Sequence, residues 1–72
     1  MGLLTLEAIG TNGERLAMEA GKAADIPVGW DSEFSCATFD SDSLAEAELQ
    51  GVVFDALAGL NPAWQEHLRI AE

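Results

Sequence analysis

Between Lys22 and Arg69 this 72-residue chain contains no lysine or arginine, yet nine carboxylates fall in the interval. They are Asp25, Asp31, Glu33, Asp40, Asp42, Glu46, Glu48, Asp55 and Glu66. Burying a carboxylate without a partner costs several kcal/mol or shifts its protonation. Each must therefore stay at the surface, and the fold must be built from the apolar residues threaded between them. The formal net charge of −10 works against compaction through self-repulsion. With 49% apolar residues the chain still escapes disorder, which requires low hydrophobicity together with high charge. Its length suits one small domain, 1–72, with a modest core.

Compartment and partner class follow from the same composition. Cys36 is the single cysteine, so no internal disulfide can form, and a small domain without disulfides fits a reducing cytoplasm. The opening Met-Gly-Leu-Leu-Thr-Leu-Glu lacks a basic leader, and Leu6 stands where a myristoylation signal needs Ser or Thr. No apolar run approaches the roughly 20 residues that span a bilayer. The expectation is a cytoplasmic protein. An acidic field of this kind repels nucleic acid and membrane phosphates and attracts basic protein grooves.

Along the chain, Leu4, Leu6 and Ala8 alternate with Thr5, Glu7 and Ile9, a period-two pattern that predicts a strand. Asn12-Gly13 follows, and Leu16, Met18 and Ala20 then alternate with Arg15 and Glu19. Asn-Gly between two alternating runs predicts a β-hairpin. A competing reading is a helix over residues 11–24, since Thr11-x-x-Glu14 fits a capping box. The hairpin is preferred because Gly21 would interrupt a helix. The segment Gly10-Thr11-Asn12-Gly13-Glu14-Arg15-Leu16-Ala17 also resembles the A-T-D-G-H-R-L-A hairpin of bacterial sliding clamps, a likeness of eight residues that implies a hairpin and nothing further.

Residues 21–31, with Pro27 and Gly29, read as a connection. A third strand is expected from about Glu33 to Phe39, with Phe34, Cys36 and Thr38 on one face. Asp40-Ser41-Asp42-Ser43 would cap a helix whose apolar face is Ala45, Leu49, Val52, Val53, Ala56, Leu57 and Leu60. Asn61-Pro62 would start a second helix carrying Trp64, Leu68 and Ala71. The predicted fold is α+β: a small three-stranded antiparallel sheet packed against two C-terminal helices, in the order ββ, loop, βαα.

Chemistry is sparse. One histidine and one cysteine cannot supply a zinc set, and no spacing ties Cys36 to His67 as a nucleophile and base. The Asp40-Ser-Asp42 run begins like a calcium loop, but Ala45 occupies the position of the loop glycine and Gly51 that of the closing glutamate. No glycine-rich phosphate loop is present. The reading is of a protein that is not an enzyme, with no cofactor and no metal.

What remains is the acidic run. Carboxylates two apart on a strand would lie about 7 Å apart, comparable to about two nucleotide steps of one DNA strand. Asp31, Glu33, Asp40, Asp42, Glu46, Glu48 and Asp55 are the candidate partner-binding residues, acting as phosphate surrogates. Arg15, Lys22 and Arg69 fall outside the run and are expected to tie the edges of the fold. In size and composition the chain resembles the small acidic inhibitors of phages and mobile elements, anti-CRISPR proteins of the DNA-mimic kind. The resemblance implies blockade of a DNA-binding channel in a host nucleoprotein complex, and no residue is carried over from it. The alternative is a phage structural or assembly protein that self-associates as a homodimer through the stripe Leu44, Ala47, Gly51, Phe54 and Ala58.

Overall fold

The alternation of Leu4 and Leu6 with Thr5 and Glu7 has the consequence that period-two patterns have. In the computed structural model, which describes residues 2–71, these residues lie on β1 (Gly2–Ala8), with Leu4 and Leu6 buried and Leu3 exposed. The remaining elements are α1 (Gly13–Ala24), β2 (Val28–Asp31), β3 (Cys36–Ser41), α2 (Glu46–Leu60) and β4 (Leu68–Ile70), with a single 3₁₀ turn at Trp64–Glu66. The sheet runs β2-β3-β1-β4, and every neighbouring pair is antiparallel. β1 and β2 are thus joined by α1 with β3 inserted between them, and β3 and β4 by α2 with β1 inserted. This is the βαββαβ order of the ferredoxin-like, split-βαβ topology.

Cross-strand register sorts the sheet into two faces. Leu4 opposes Phe39, which opposes Val28; Leu6 opposes Ala37, which opposes Trp30. These rows point toward the helices and join Leu16, Ala17 and Ala20 of α1 with Leu49, Val53 and Leu57 of α2 in one core. No polar or charged residue is buried in it among the described residues. The opposite face carries Thr5, Thr38, Glu7, Cys36, Asp40 and Arg69, and among the described residues no element covers it.

The α+β class stands, but the predicted three-stranded ββ-loop-βαα order gives way in four places. The Asn12-Gly13 segment opens α1 instead of a hairpin, so the octapeptide that resembles a clamp hairpin forms a loop and the first turns of a helix. Gly13 is needed there because a Cβ would stand 2.6 Å from both the Ala8 Cβ and the His67 carbonyl oxygen. Gly21 does not interrupt the helix either. It lets α1 settle on β2, where a Cβ would lie 2.0 Å from the Val28 Cγ2.

Residues 28–31, read as connection, form the edge strand β2. Pro27 and Gly29 are compatible with an edge, where one side of the strand has no ladder to feed. Asp40 and Ser41 belong to β3 and do not cap a helix; α2 begins at Glu46 behind Ala45, which offers no side-chain cap. The Ser41 hydroxyl instead accepts from the Ser43 and Leu44 amides at 3.3 and 3.1 Å. Finally, the expected terminal helix is a 3₁₀ turn followed by β4. Asn61 Oδ1 accepts from the Ala63 amide at 2.9 Å to start the turn, and Trp64 lands against Phe54 with ring centroids 4.8 Å apart. The chain then returns to β1, where Leu68 pairs with Ala8 and Ile70 with Leu6. α2 consequently packs beside α1 and not against a terminal helix. The apolar stripe expected on this helix, Leu44, Ala47, Gly51, Phe54 and Ala58, is divided: Leu44 precedes α2 and packs against the core, Phe54 is covered by Trp64, and Ala47, Gly51 and Ala58 face solvent.

Candidate functional site

With a core free of polar groups, every functional side chain has to sit on the surface, and the carboxylates dominate it. Of the twelve described carboxylates only Glu7 is partly buried; the other eleven are exposed. Two have a cation within 4.0 Å. Glu7 pairs with Arg69 across β1 and β4, and Glu19 pairs with Arg15 one helical turn back, at 3.6 Å. Among the described residues the remaining ten have no such neighbour.

The topology divides the seven candidate residues into three places. Asp31 and Glu33 lie at the β2–β3 turn, where Asp31 Oδ1 accepts from the Glu33 and Phe34 amides at 3.0 and 3.4 Å. Ser35, with φ 54°, completes the reversal. Asp40 and Asp42 lie at the other end of the sheet. Since Asp31 opposes Cys36, and Asp40 is four residues further along β3, the two groups are separated by about 13 Å along the strand direction. Glu46 and Glu48 fall in the first turn of α2, where carboxylates favour the positive end of the helix dipole. Asp55 follows Glu48 by seven residues on the solvent side of α2, about 10 Å along its axis.

Two features differ from the expectation of evenly spaced carboxylates. Glu33 is in the turn and Asp42 lies just past β3, so neither Asp31–Glu33 nor Asp40–Asp42 has the spacing of alternate residues on a strand. Asp25, not among the candidates, joins Asp40 and Asp42 around one concavity of about 230 Å³ lined also by Ile26, Pro27, Ser41 and Ser43. It reaches that place because it ends α1 in the left-handed conformation at φ 57°, turning the chain toward β2. A helix-to-strand reversal after Ala24 was the signal, and it was hidden while residues 11–24 read as a hairpin.

The cysteine and the histidine lie in different places. Cys36 faces the open side of the sheet in a concavity with Glu7, Phe34 and Arg69, and its thiol donates to the Phe34 carbonyl at 3.3 Å. His67 lines a different concavity, with Asn12, Arg15, Glu19 and Asn61. Among the described residues no group of three His, Cys, Asp or Glu side chains is placed to hold a metal ion, and no helix is long and apolar enough to cross a membrane.

On the open face the central positions on β1 and β3 are Thr5, Glu7, Cys36, Thr38 and Asp40. No family model matches the chain, and no curated protein or solved structure resembles it at a significant level.

Proposed function

We propose that this protein is a small acidic inhibitor that occupies the DNA-binding channel of a basic host protein or nucleoprotein complex, such as a CRISPR effector, with its carboxylates standing in for DNA phosphates. The observation that carries the reading is that, among the described residues, ten exposed carboxylates have no cation within 4.0 Å, on a scaffold whose core buries no polar or charged residue. Carboxylates left free in this way are available to lysines and arginines of a partner. Their wide distribution, at both ends of β3 and along α2, suits a channel that contacts DNA at many points. The contact surface comprises Asp31, Glu33, Asp40, Asp42, Glu46, Glu48 and Asp55, to which the geometry adds Asp25. Association of this kind is fast and strongly salt-dependent. It would take place in the host cytoplasm, with no direct contact to nucleic acid or membrane and no cofactor.

Affinity capture from a bacterial lysate, eluted first with rising salt and then with duplex DNA, tests the reading. A basic DNA-binding complex should be released by both eluents. Reversing Asp40, Asp42 and Glu46 to lysine should abolish its capture. If the triple variant retains the partner as well as the native chain does, the acidic surface is not the contact and the proposal fails.

A second reading has its own observation. Ala47, Gly51, Val52 and Ala58 lie exposed on the solvent side of α2, a nearly uncharged strip flanked by Glu48 and Asp55. If the protein serves phage assembly through self-association, this strip is its contact, and Gly51→Leu would change the oligomeric state while charge reversal would not.

A further inference from the structure

We propose that the free edge of β2 receives an extended, basic segment of the partner, which adds to the sheet as a fifth strand; the proposal rests on the reading that the partner is basic. Antiparallel ladders bond alternate residues, so one confirmed bond fixes which backbone groups face outward. Asp40 N–H donates to the Pro27 carbonyl at 3.2 Å. By the β2–β3 register, Gly29 with Thr38 and Asp31 with Cys36 are then the bonding pairs. The N–H and C=O of Val28 and Trp30 therefore point away from β3, along the rim of the sheet. Their side chains pack toward the core, and Gly29 between them faces the open side, where a Cβ would meet nothing within 4 Å. An incoming strand finds outward donors and acceptors two residues apart, with the side-chain-free Gly29 between them, which suits strand addition.

The sheet has a second free edge, and the comparison identifies the occupant. On β4, the bonds from Ile9 N–H to the His67 carbonyl at 2.7 Å and from Ala71 N–H to the Thr5 carbonyl at 3.1 Å leave Leu68 and Ile70 facing outward. That edge carries Arg69, paired with Glu7. The β2 edge is bracketed by carboxylates instead: Asp25, Asp40 and Asp42 at its start, Asp31 and Glu33 at its finish. Lys22, beside Asp25, is the one cation lining that region among the described residues. Val28 to Asp31 spans about 10 Å, so a segment of about five residues with a cation at each end meets both acidic groups while its backbone pairs with Val28 and Trp30. A second copy of this chain is disfavoured at the same place. Antiparallel pairing of β2 with itself would bring Asp31 and Glu33 of one copy toward Asp25 of the other, and charged edges of like sign resist such pairing.

Total synthesis of the 72-residue chain allows a test that alters no side chain. N-methylation of Val28 blocks an outward N–H and leaves the ladder to β3 intact. Methylation of Trp30 repeats the block independently, and methylation of Ile70 applies the same change to the β4 edge. The probe is a short synthetic peptide of alternating valine and threonine with two lysines at each end, followed by fluorescence anisotropy and by hydrogen exchange of the Val28 and Trp30 amides. Far-UV circular dichroism and the thermal midpoint establish that each chain folds. The peptide should protect both amides in the native chain. Its affinity should fall about tenfold or more on methylation at Val28 or Trp30 and stay unchanged on methylation at Ile70. Failure of the native chain to bind the peptide, or equal binding by the folded Val28- and Trp30-methylated chains, overturns the proposal. So does equal binding of a peptide with glutamates in place of the lysines, or dimerisation of the native chain through β2. The inhibitor reading falls separately, only if charge reversal at Asp40, Asp42 and Glu46 leaves partner capture intact.

Discussion

β1 and β3 each contribute to two surfaces that share a backbone and almost nothing else. Toward the helices, Leu4, Leu6, Ala37 and Phe39 are at most 6% exposed. Toward solvent, the intervening positions hold Thr5, Glu7, Thr38 and Asp40 with nothing laid over them. The pleat is what makes this separation possible, because one step along a strand moves a side chain from one face to the other. Within these two strands, apolar burial lies on the helix side and the carboxylates of Glu7 and Asp40 on the open side. A substitution should therefore affect one property with little effect on the other, and residue parity should say which.

The strongest challenge to that division is Phe39→Ala set against its neighbour Asp40→Ala. Phe39 is fully buried among residues of both helices and the sheet, and its truncation should cost about 3–5 kcal/mol. A domain of this length has roughly 4–10 kcal/mol in all, so urea unfolding should find the variant largely or marginally unfolded. Asp40→Ala, one residue away and exposed, should stay within about 0.5 kcal/mol of the native chain. Comparable losses from the two would show that the faces are not independent.

Gly21→Ala probes the helix side from above. Alanine is favoured over glycine in a helix by about 1 kcal/mol, so on propensity alone the change should stabilise α1. The approach of a new Cβ to the Val28 Cγ2 and to the Ile26 carbonyl, at 2.0 and 2.9 Å, opposes it. Overpacking of this kind costs about 1–3 kcal/mol, and Val28 is β-branched with little freedom to turn aside. A lower thermal midpoint is expected; a rise would mean that β2 yields easily.

The same glycine shows where sequence reading loses the fold. Leu4 and Leu6 were legible because their alternation is long enough to have a period, and Leu49, Val53 and Leu57 because three helical turns repeat it. Gly21 and Asn12-Gly13 were misread because local rules assign glycine to turns, while here tertiary contact requires it: α1 against β2, and the start of α1 against Ala8 and the His67 carbonyl. β4 was unreadable for another reason. Three residues carry no reliable period, and Trp64, Leu68 and Ala71 happen to recur at helical spacing. Of the candidate site, the exposure of the seven carboxylates was legible from charge alone. The placing of four of them at the two ends of β3, and the entry of Asp25, depended on a topology in which β2 and β3 form the hairpin.

Salt should sharpen the comparison by acting on the surface charges and not on the apolar core. Ten excess negative charges repel one another in the folded chain more than in the expanded one. The Debye length falls from about 30 Å at 0.01 M to about 10 Å at 0.1 M, so raising sodium chloride over this range should raise the thermal midpoint by several degrees. Lysine at positions 40, 42 and 46 should flatten that dependence, since the substitution removes like charges from the Asp40–Glu46 region. The Phe39 region should give the same loss at every salt concentration, because apolar burial is not screened.

The smallest effect belongs to the ion pair on the open face. Glu7 and Arg69 face each other across β1 and β4, with the Arg69 side chain 66% exposed and that of Glu7 35%. Charged pairs in such surroundings contribute about 0–1 kcal/mol, because water already solvates both partners well. Glu7→Gln should therefore cost less than about 1 kcal/mol at low salt and almost nothing at high salt. β4 is held chiefly by Leu68, 1% exposed beneath the sheet, and by its backbone bonds to β1. A loss from Glu7→Gln as large as that from Leu68→Ala would reverse this order and make the pair, not the buried leucine, the anchor of the edge. Unfolding both variants in urea at two salt concentrations decides between them, since only a charge-held edge would lose its advantage when the salt is raised.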